Sequence, residues 1–108
     1  MALSLIHFSY NSETVGKLIQ NPEDRSIAVK NLFEKFGGKL VGFYYCFGDY
    51  DGVVIADMPD NTSLLAAAMV AFAGGGTTKI KTTPLITVEE AIAAMKKGSG
   101  IKLQQPKG

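Results

Sequence analysis

Apolar positions recur along this chain with two different periods, and the switches between them mark out the elements. Leu3 to Tyr10 is an apolar stretch ending at Asn11-Ser12, the signature of a strand that runs into a turn or cap. Ser12 or Asn11 then caps a short helix carrying Val15, Leu18 and Ile19 on one face. Asn21-Pro22-Glu23-Asp24 predicts a second helix start: a cap, Pro at the first helical position, and two acids at the positive end of the dipole. That helix presents Val29, Leu32, Phe33 and Phe36, and Gly37-Gly38 stops it. Lys39 to Phe47 and Gly52 to Met58 read as strands joined by the turn Gly48-Asp49-Tyr50-Asp51, hence an antiparallel hairpin. Pro59 ends the hairpin, and Asp60 or Asn61 caps a helix whose stripe is Leu65, Ala68, Met69 and Phe72. Gly74-Gly75-Gly76 terminates it, and Thr77 to Thr83 is the last strand, broken by Pro84. Thr87 with Glu90 forms a capping box that opens a final helix, with Val88, Ala91, Ile92 and Met95 on one face.

This order predicts an α+β fold, a ferredoxin-like βαββαβ sandwich with a four-stranded antiparallel sheet. Right-handed crossovers place both main helices on one face of that sheet. The other face is not polar, as water would require. The second strand is aromatic on both sides, with Phe43, Tyr45 and Phe47 on one and Tyr44 with Leu40 and Cys46 on the other. The third strand sets Val53 and Ile55 against Val54 and Met58. An apolar face of this size needs a cover, most simply a second copy about a two-fold axis. The expected assembly is a homodimer, or a higher homo-oligomer, through the sheet face.

Composition narrows the picture. The 108 residues are 46% hydrophobic and 19% charged, which is one compact domain and not a disordered chain. One Cys excludes a disulfide framework, and eleven cations against ten acids leave a formal charge of +1. The only cationic excess, Lys96, Lys97, Lys102 and Lys107, lies at the C-terminal end. Nucleic acid is not an expected partner: there is no basic face, and Gly52 to Ala56 lacks the aromatics that stack bases. Nor is a membrane, since the apolar centre Leu64 to Ala73 is about half the length a span needs. The start carries no basic leader, so a cytoplasmic protein is expected.

Few side chains can carry chemistry. His7 is the only histidine and the candidate general base; the competing reading is a packed strand residue. Asp57, among apolar residues near the end of the third strand, is a second catalytic candidate, or else a carboxylate at a wet sheet edge. Tyr10, Tyr44, Tyr50 and Asp51 are the ligand-binding candidates, as phenol tips and a carboxylate that could line a pocket. In Gly48-Asp49-Tyr50-Asp51-Gly52 the same residues also suit a tight turn with no ligand. Cys46 reads as a buried structural thiol. Gly74-Gly75-Gly76-Thr77-Thr78-Lys79 is not a phosphate loop, because it leads from helix to strand. No metal site and no cofactor are implied.

Gly48-Asp49-Tyr50-Asp51, the aliphatic strand after it, Asp57 and then Pro59-Asp60 together resemble the GYD-domain family. The likeness extends to Leu5–Ser12, Glu34–Leu40, Phe43-Tyr44, Lys79–Leu85 and Thr87–Glu90, and so covers about residues 3 to 97. Asp57 stands where the family often has Glu, and three glycines stand where it usually has one. The resemblance implies a dimeric α/β-barrel type of fold: a single GYD-like domain over residues 1–97, with residues 98–108 as a flexible C-terminal tail. It supplies no reaction, and whether the protein is an enzyme stays open. The expected function is binding of a small organic molecule in a cleft between sheet and helices, with oxygenase- or isomerase-like chemistry at most. The alternative is a non-catalytic structural or sensing oligomeric module.

Overall fold

A computed structural model describes residues 2–108. Strand β1 (Ala2–Tyr10) leads into helices α1 (Ser12–Gln20) and α2 (Ser26–Lys35), then strands β2 (Lys39–Tyr45) and β3 (Gly52–Met58). Helix α3 (Asn61–Ala73), strand β4 (Thr77–Pro84) and helix α4 (Val88–Gly98) complete the chain. The sheet order is β2-β3-β1-β4, with every neighbour antiparallel, which is the ferredoxin-like arrangement. Ile6, Phe8, Val54, Ala56 and Met58 from the central strands meet Phe33 of α2 and Ala67 of α3 in one core. Both helices therefore cover the same face.

The cap signals act where the sequence places them. Asn11 accepts from the Thr14 amide at 2.8 Å, Asp60 from the Ser63 amide at 2.7 Å, and Thr87 with Glu90 closes a complete capping box. At the end of α2 the Gly38 amide donates to the Phe33 carbonyl and the Gly37 amide to that of Glu34. Gly37, at φ 78°, supplies the left-handed residue this Schellman closure needs.

Three elements depart from expectation. The second helix opens at Ser26, not beside Pro22. The Asp24 carboxylate accepts from the Ser26 amide at 2.9 Å, and this local turn competes with helix until residue 26. Strand β2 stops at Tyr45, and the pairing register shifts between Leu40 and Gly42. That bulge changes the alternation, so Leu40 and Phe43 both pack on the core instead of pointing to opposite sides. In α3 the face on the core is Leu64 and Ala67, while Leu65 (61% exposed), Met69 (63%) and Phe72 (51%) turn outward. The helix is apolar all round, so periodicity does not select a side, and the small alanines allow the closest approach to the sheet.

Among the described residues, helix α4 has no extensive packing against another element. All of it is exposed except the half-buried Ala91, and residues 101–108 form no helix or strand. The radius of gyration is 17.9 Å, against about 13 Å for a compact chain of this length. The accessible surface is 8018 Å², against about 5,800 Å² for a folded protein of this mass.

Asp60 makes a direct test of the capping. Its bonds to Ser63 hold its carboxyl below the ordinary value of 3.8, so the bound ionised form favours the folded state. That contribution is complete above the unfolded pKa and lost as pH falls through the lowered one. Asp60→Ala should reduce the melting temperature at pH 7, and the gap to wild type should narrow as the pH drops below 3.8, read by circular dichroism.

Candidate functional site

The loop from Gly48 to Gly52 is the most tightly specified part of the chain. Gly48 takes φ 121°, which a side chain would strain. Cys46 donates its amide to the Asp51 carbonyl, and Asp51 donates its own to the Phe8 carbonyl, each at 2.9 Å. The Asp51 carboxylate accepts the Tyr10 amide at 2.9 Å, where the β1–β4 register shifts between Ser9 and Tyr10 and the ladder is irregular. Gly52 pairs with Phe8, whose ring occupies the space a Cβ at position 52 would need. The motif is thus a clamp between the β2–β3 turn and the end of β1. Cys46 lies on this loop and is exposed rather than buried; its thiol meets the Tyr50 carbonyl at 3.4 Å.

The sheet face away from the helices carries most of the chemical candidates. His7 and the half-buried Tyr50 stack with ring centroids 5.1 Å apart, and the Lys79 ammonium lies 4.7 Å from the centre of the Tyr50 ring. Lys81 is the β4 partner of His7, and Tyr44, 61% exposed, is the β2 partner of Val53. Asp57 shares this face but sits opposite Leu3, four residues from His7 along β1, or about 14 Å. His7 and Asp57 therefore do not form one catalytic pair within the chain. His7 Nδ1 and Asp57 Oδ1 are each shut off from water without a hydrogen-bond partner.

The helix-side face holds a cleft of about 170 Å³ between the sheet, α2 and α3. Its walls include Ile6, Phe8, Phe43, Val54, Ala67 and Ala71, and its polar groups are Tyr10, Arg25 and Thr77. Of the six candidates, only Tyr10 reaches it. His7, Asp57, Tyr44 and Tyr50 lie on the opposite face, and Asp51 is engaged at the strand end. Tyr10 heads an aromatic group, 5.1 Å from Phe8 and 6.4 Å from Tyr45 between centroids, with Phe43 5.3 Å from Tyr45. Burial raises the Tyr10 phenol well above its ordinary value, the Tyr45 hydroxyl adds to this, and Arg25 opposes it. Arg25 carries no signal in the sequence reading, and Thr77 enters it only as the start of the last strand. Arg25, the one arginine of the chain, lies in the region first assigned to the α2 interior, and its place beside Tyr10 depends on the later helix start.

The cleft can hold an apolar ring of about benzene size, since a cavity near 150 Å³ does so in another protein. It is smaller than the roughly 300–1,000 Å³ typical of ligand pockets. It contains a neutral phenol and a guanidinium but no general base. Among the described residues no three His, Cys, Asp or Glu side chains converge to hold a metal ion, and no helix is long and apolar enough to cross a membrane.

Comparison with known proteins places this geometry. The sequence model of the GYD domain matches residues 5–95. The glutamine synthetase and cystathionine beta-lyase binding protein of Thermus thermophilus is 33% identical over 79 residues, covering 73% of this chain and 82% of that protein. Among solved structures, MtbAldR superposes with a TM-score of 0.57 at 13% identity, over 80% of this chain and 52% of its own. TTHA0845 from Thermus thermophilus does so at 0.53 and 15%, over 82% of this chain and 96% of that one. At these identities the two structures show the fold alone, and this chain spans about half of MtbAldR.

Two outcomes follow from the site. Asp51→Ala leaves the Tyr10 amide without its charged acceptor and should cost about 1.5–3 kcal/mol in urea unfolding. A raised Tyr10 pKa means that the folded state holds its proton longer, so stability should fall as pH rises above the ordinary value of 10.0. Tyr10→Phe should lessen that loss of stability, read by urea unfolding on either side of the ordinary value.

Proposed function

The chain belongs to the GYD-domain family, and on that premise we propose that it is a non-catalytic binding module. It works as a homodimer joined sheet to sheet and docks onto other proteins through the outer stripe of α3. The observation that carries this reading is the position of the apolar surface. Leu65, Met69 and Phe72 form a ridge on the outside of a helix whose inner face is already packed, and three large side chains in line suit a groove on a partner. The scatter of His7, Asp57 and Tyr44 away from the cleft supports binding over catalysis. The relative named for binding two enzymes supports folded metabolic enzymes as the partner class.

The dimer is supported by the open sheet face, where Leu5, Val53 and Ile55 lie only half-buried at the centre and an apolar patch calls for a cover.

A second reading rests on the cleft, which would take a small apolar ring with Tyr10 and Arg25 at its edge. Benzene should then raise the melting temperature of the wild type and not that of Ala68→Leu, which fills the space.

The test of the main reading is surface plasmon resonance with immobilised glutamine synthetase and cystathionine beta-lyase from the source organism. Wild type should bind at least one of them, and Met69→Glu should weaken binding about tenfold or more while remaining dimeric. Absence of binding to both, or undiminished binding by Met69→Glu, overturns it.

A further inference from the structure

We propose that His7 and Asp57 are paired across the dimer, His7 of each protomer with Asp57 of the partner subunit. This rests on the sheet-to-sheet homodimer proposed above and names the contacts that set its axis. Asp57 is the sole acid among the strand positions that share the open face, where the other ionisable groups include His7, Lys39, Lys79 and Lys81. Lys39 is the cross-strand partner of Asp57, yet no ion pair forms between them. His7 is flanked by Lys81 and by Tyr50 with its Lys79. Asp57 Oδ1 and His7 Nδ1 are the two side-chain atoms left buried and without a partner among the described residues, and both lie on this face. Their terminal torsions are broad, so rotation can bring either ring nitrogen or either carboxylate oxygen outward.

The ladder register supplies the geometry. Leu5 pairs with Ile55; His7 lies two residues beyond Leu5, and Asp57 two beyond Ile55 on the antiparallel strand. The two groups are thus placed symmetrically about the Leu5–Ile55 pair, at opposite ends of the face. A two-fold axis that joins two such faces must lie between the sheets, and two simple directions exist. An axis along the strands sets Asp57 towards Asp57 of the partner subunit, which repulsion between the carboxylates disfavours, and leaves each His7 facing His7 of the partner subunit without an acid. An axis across the strands at Leu5–Ile55 exchanges the two ends. Each His7 then stands over the partner's Leu3 position, offset sideways by one strand spacing of about 4.8 Å from the partner's Asp57 across the roughly 10 Å between packed sheets, a gap the two side chains span, and the pair forms twice. Leu5, Val53 and Ile55, all half-buried in the single chain, close over the centre.

A complementary exchange tests the pairing. His7→Asp alone sets acid against acid at both contacts, and Asp57→His alone sets His against His. In a mixture of the two variants, the heterodimer restores one Asp–His contact at each site. Sedimentation equilibrium should show a dimer for wild type and dimer dissociation constants raised at least tenfold for each variant alone. Native mass spectrometry of an equimolar mixture, with one variant carrying a mass tag, should show the heterodimer in clear excess over the 1:2:1 share that random exchange gives. Dimeric wild type with no heterodimer excess overturns the pairing and leaves the dimer standing. A monomeric wild type at tens of micromolar overturns both. Should either exchange variant fail to fold, His7→Ala, Asp57→Ala and their double variant give the same decision: paired groups make the double variant no weaker a dimer than the worse single one, whereas additive losses overturn the proposal.

Discussion

The Asp51 carboxylate on the Tyr10 amide is the contact on which the arrangement of this fold turns. Strand β1 is central in the sheet and pairs on both sides, so an irregularity in its ladder affects both neighbours. The register shift at Ser9–Tyr10 falls at its end, and the charge-assisted bond from Asp51 occupies the Tyr10 amide there. The same loop returns to β1 through the Asp51 amide, and the Phe8 ring lies over Gly52. The hairpin is thereby locked to the central strand through two successive residues, Asp51 and Gly52. Phe8, Tyr10 and Phe43, which wall the cleft, and Tyr45 packed beside them are assembled around that lock.

The sheet then divides the molecule into two chemically different sides. Towards the helices there is a small, mostly apolar cleft bounded by a phenol that resists ionisation and one guanidinium. Away from them is a face with aliphatic residues at its centre and ionisable groups at its two ends. No group on one side reaches the other, so a combination of His7 with the cleft cannot operate within one chain. What the protein does with each side is separable, which is why the proposed dimer contact and the outer ridge of α3 can serve different partners.

Much of this was legible from residue order. The closures at Gly37-Gly38, Asp60 and Thr87–Glu90 depend on neighbours within a few positions, and local chemistry suffices to read them. The strand order followed from the hairpin and the handedness of the crossovers. The inner face of α3 was not legible, because Leu65, Met69 and Phe72 are more apolar than the alanines that pack. Packing there rewards close approach over hydrophobicity. The sides of Leu40 and Phe43 were hidden by the bulge, since one extra residue reverses the alternation. The function of Gly-x-Tyr-Asp could be read two ways until the Tyr10 amide was seen to be its acceptor's target. His7 and Asp57 were recognised as unusual, but their separation is a property of the β1–β3 register, which no local pattern encodes.

Helix α4 carries a complete capping box yet packs little against its neighbours. Its 11 residues fall below the roughly 12–15 that an isolated helix needs to persist in water. With so little tertiary support, its backbone amides should exchange with solvent far sooner than those of the sheet, and a protease could cut within residues 85–100 without first opening the core. The lifetime of the C-terminal segment in a cell would then be set separately from that of the domain, and any surface that covered α4 would lengthen it.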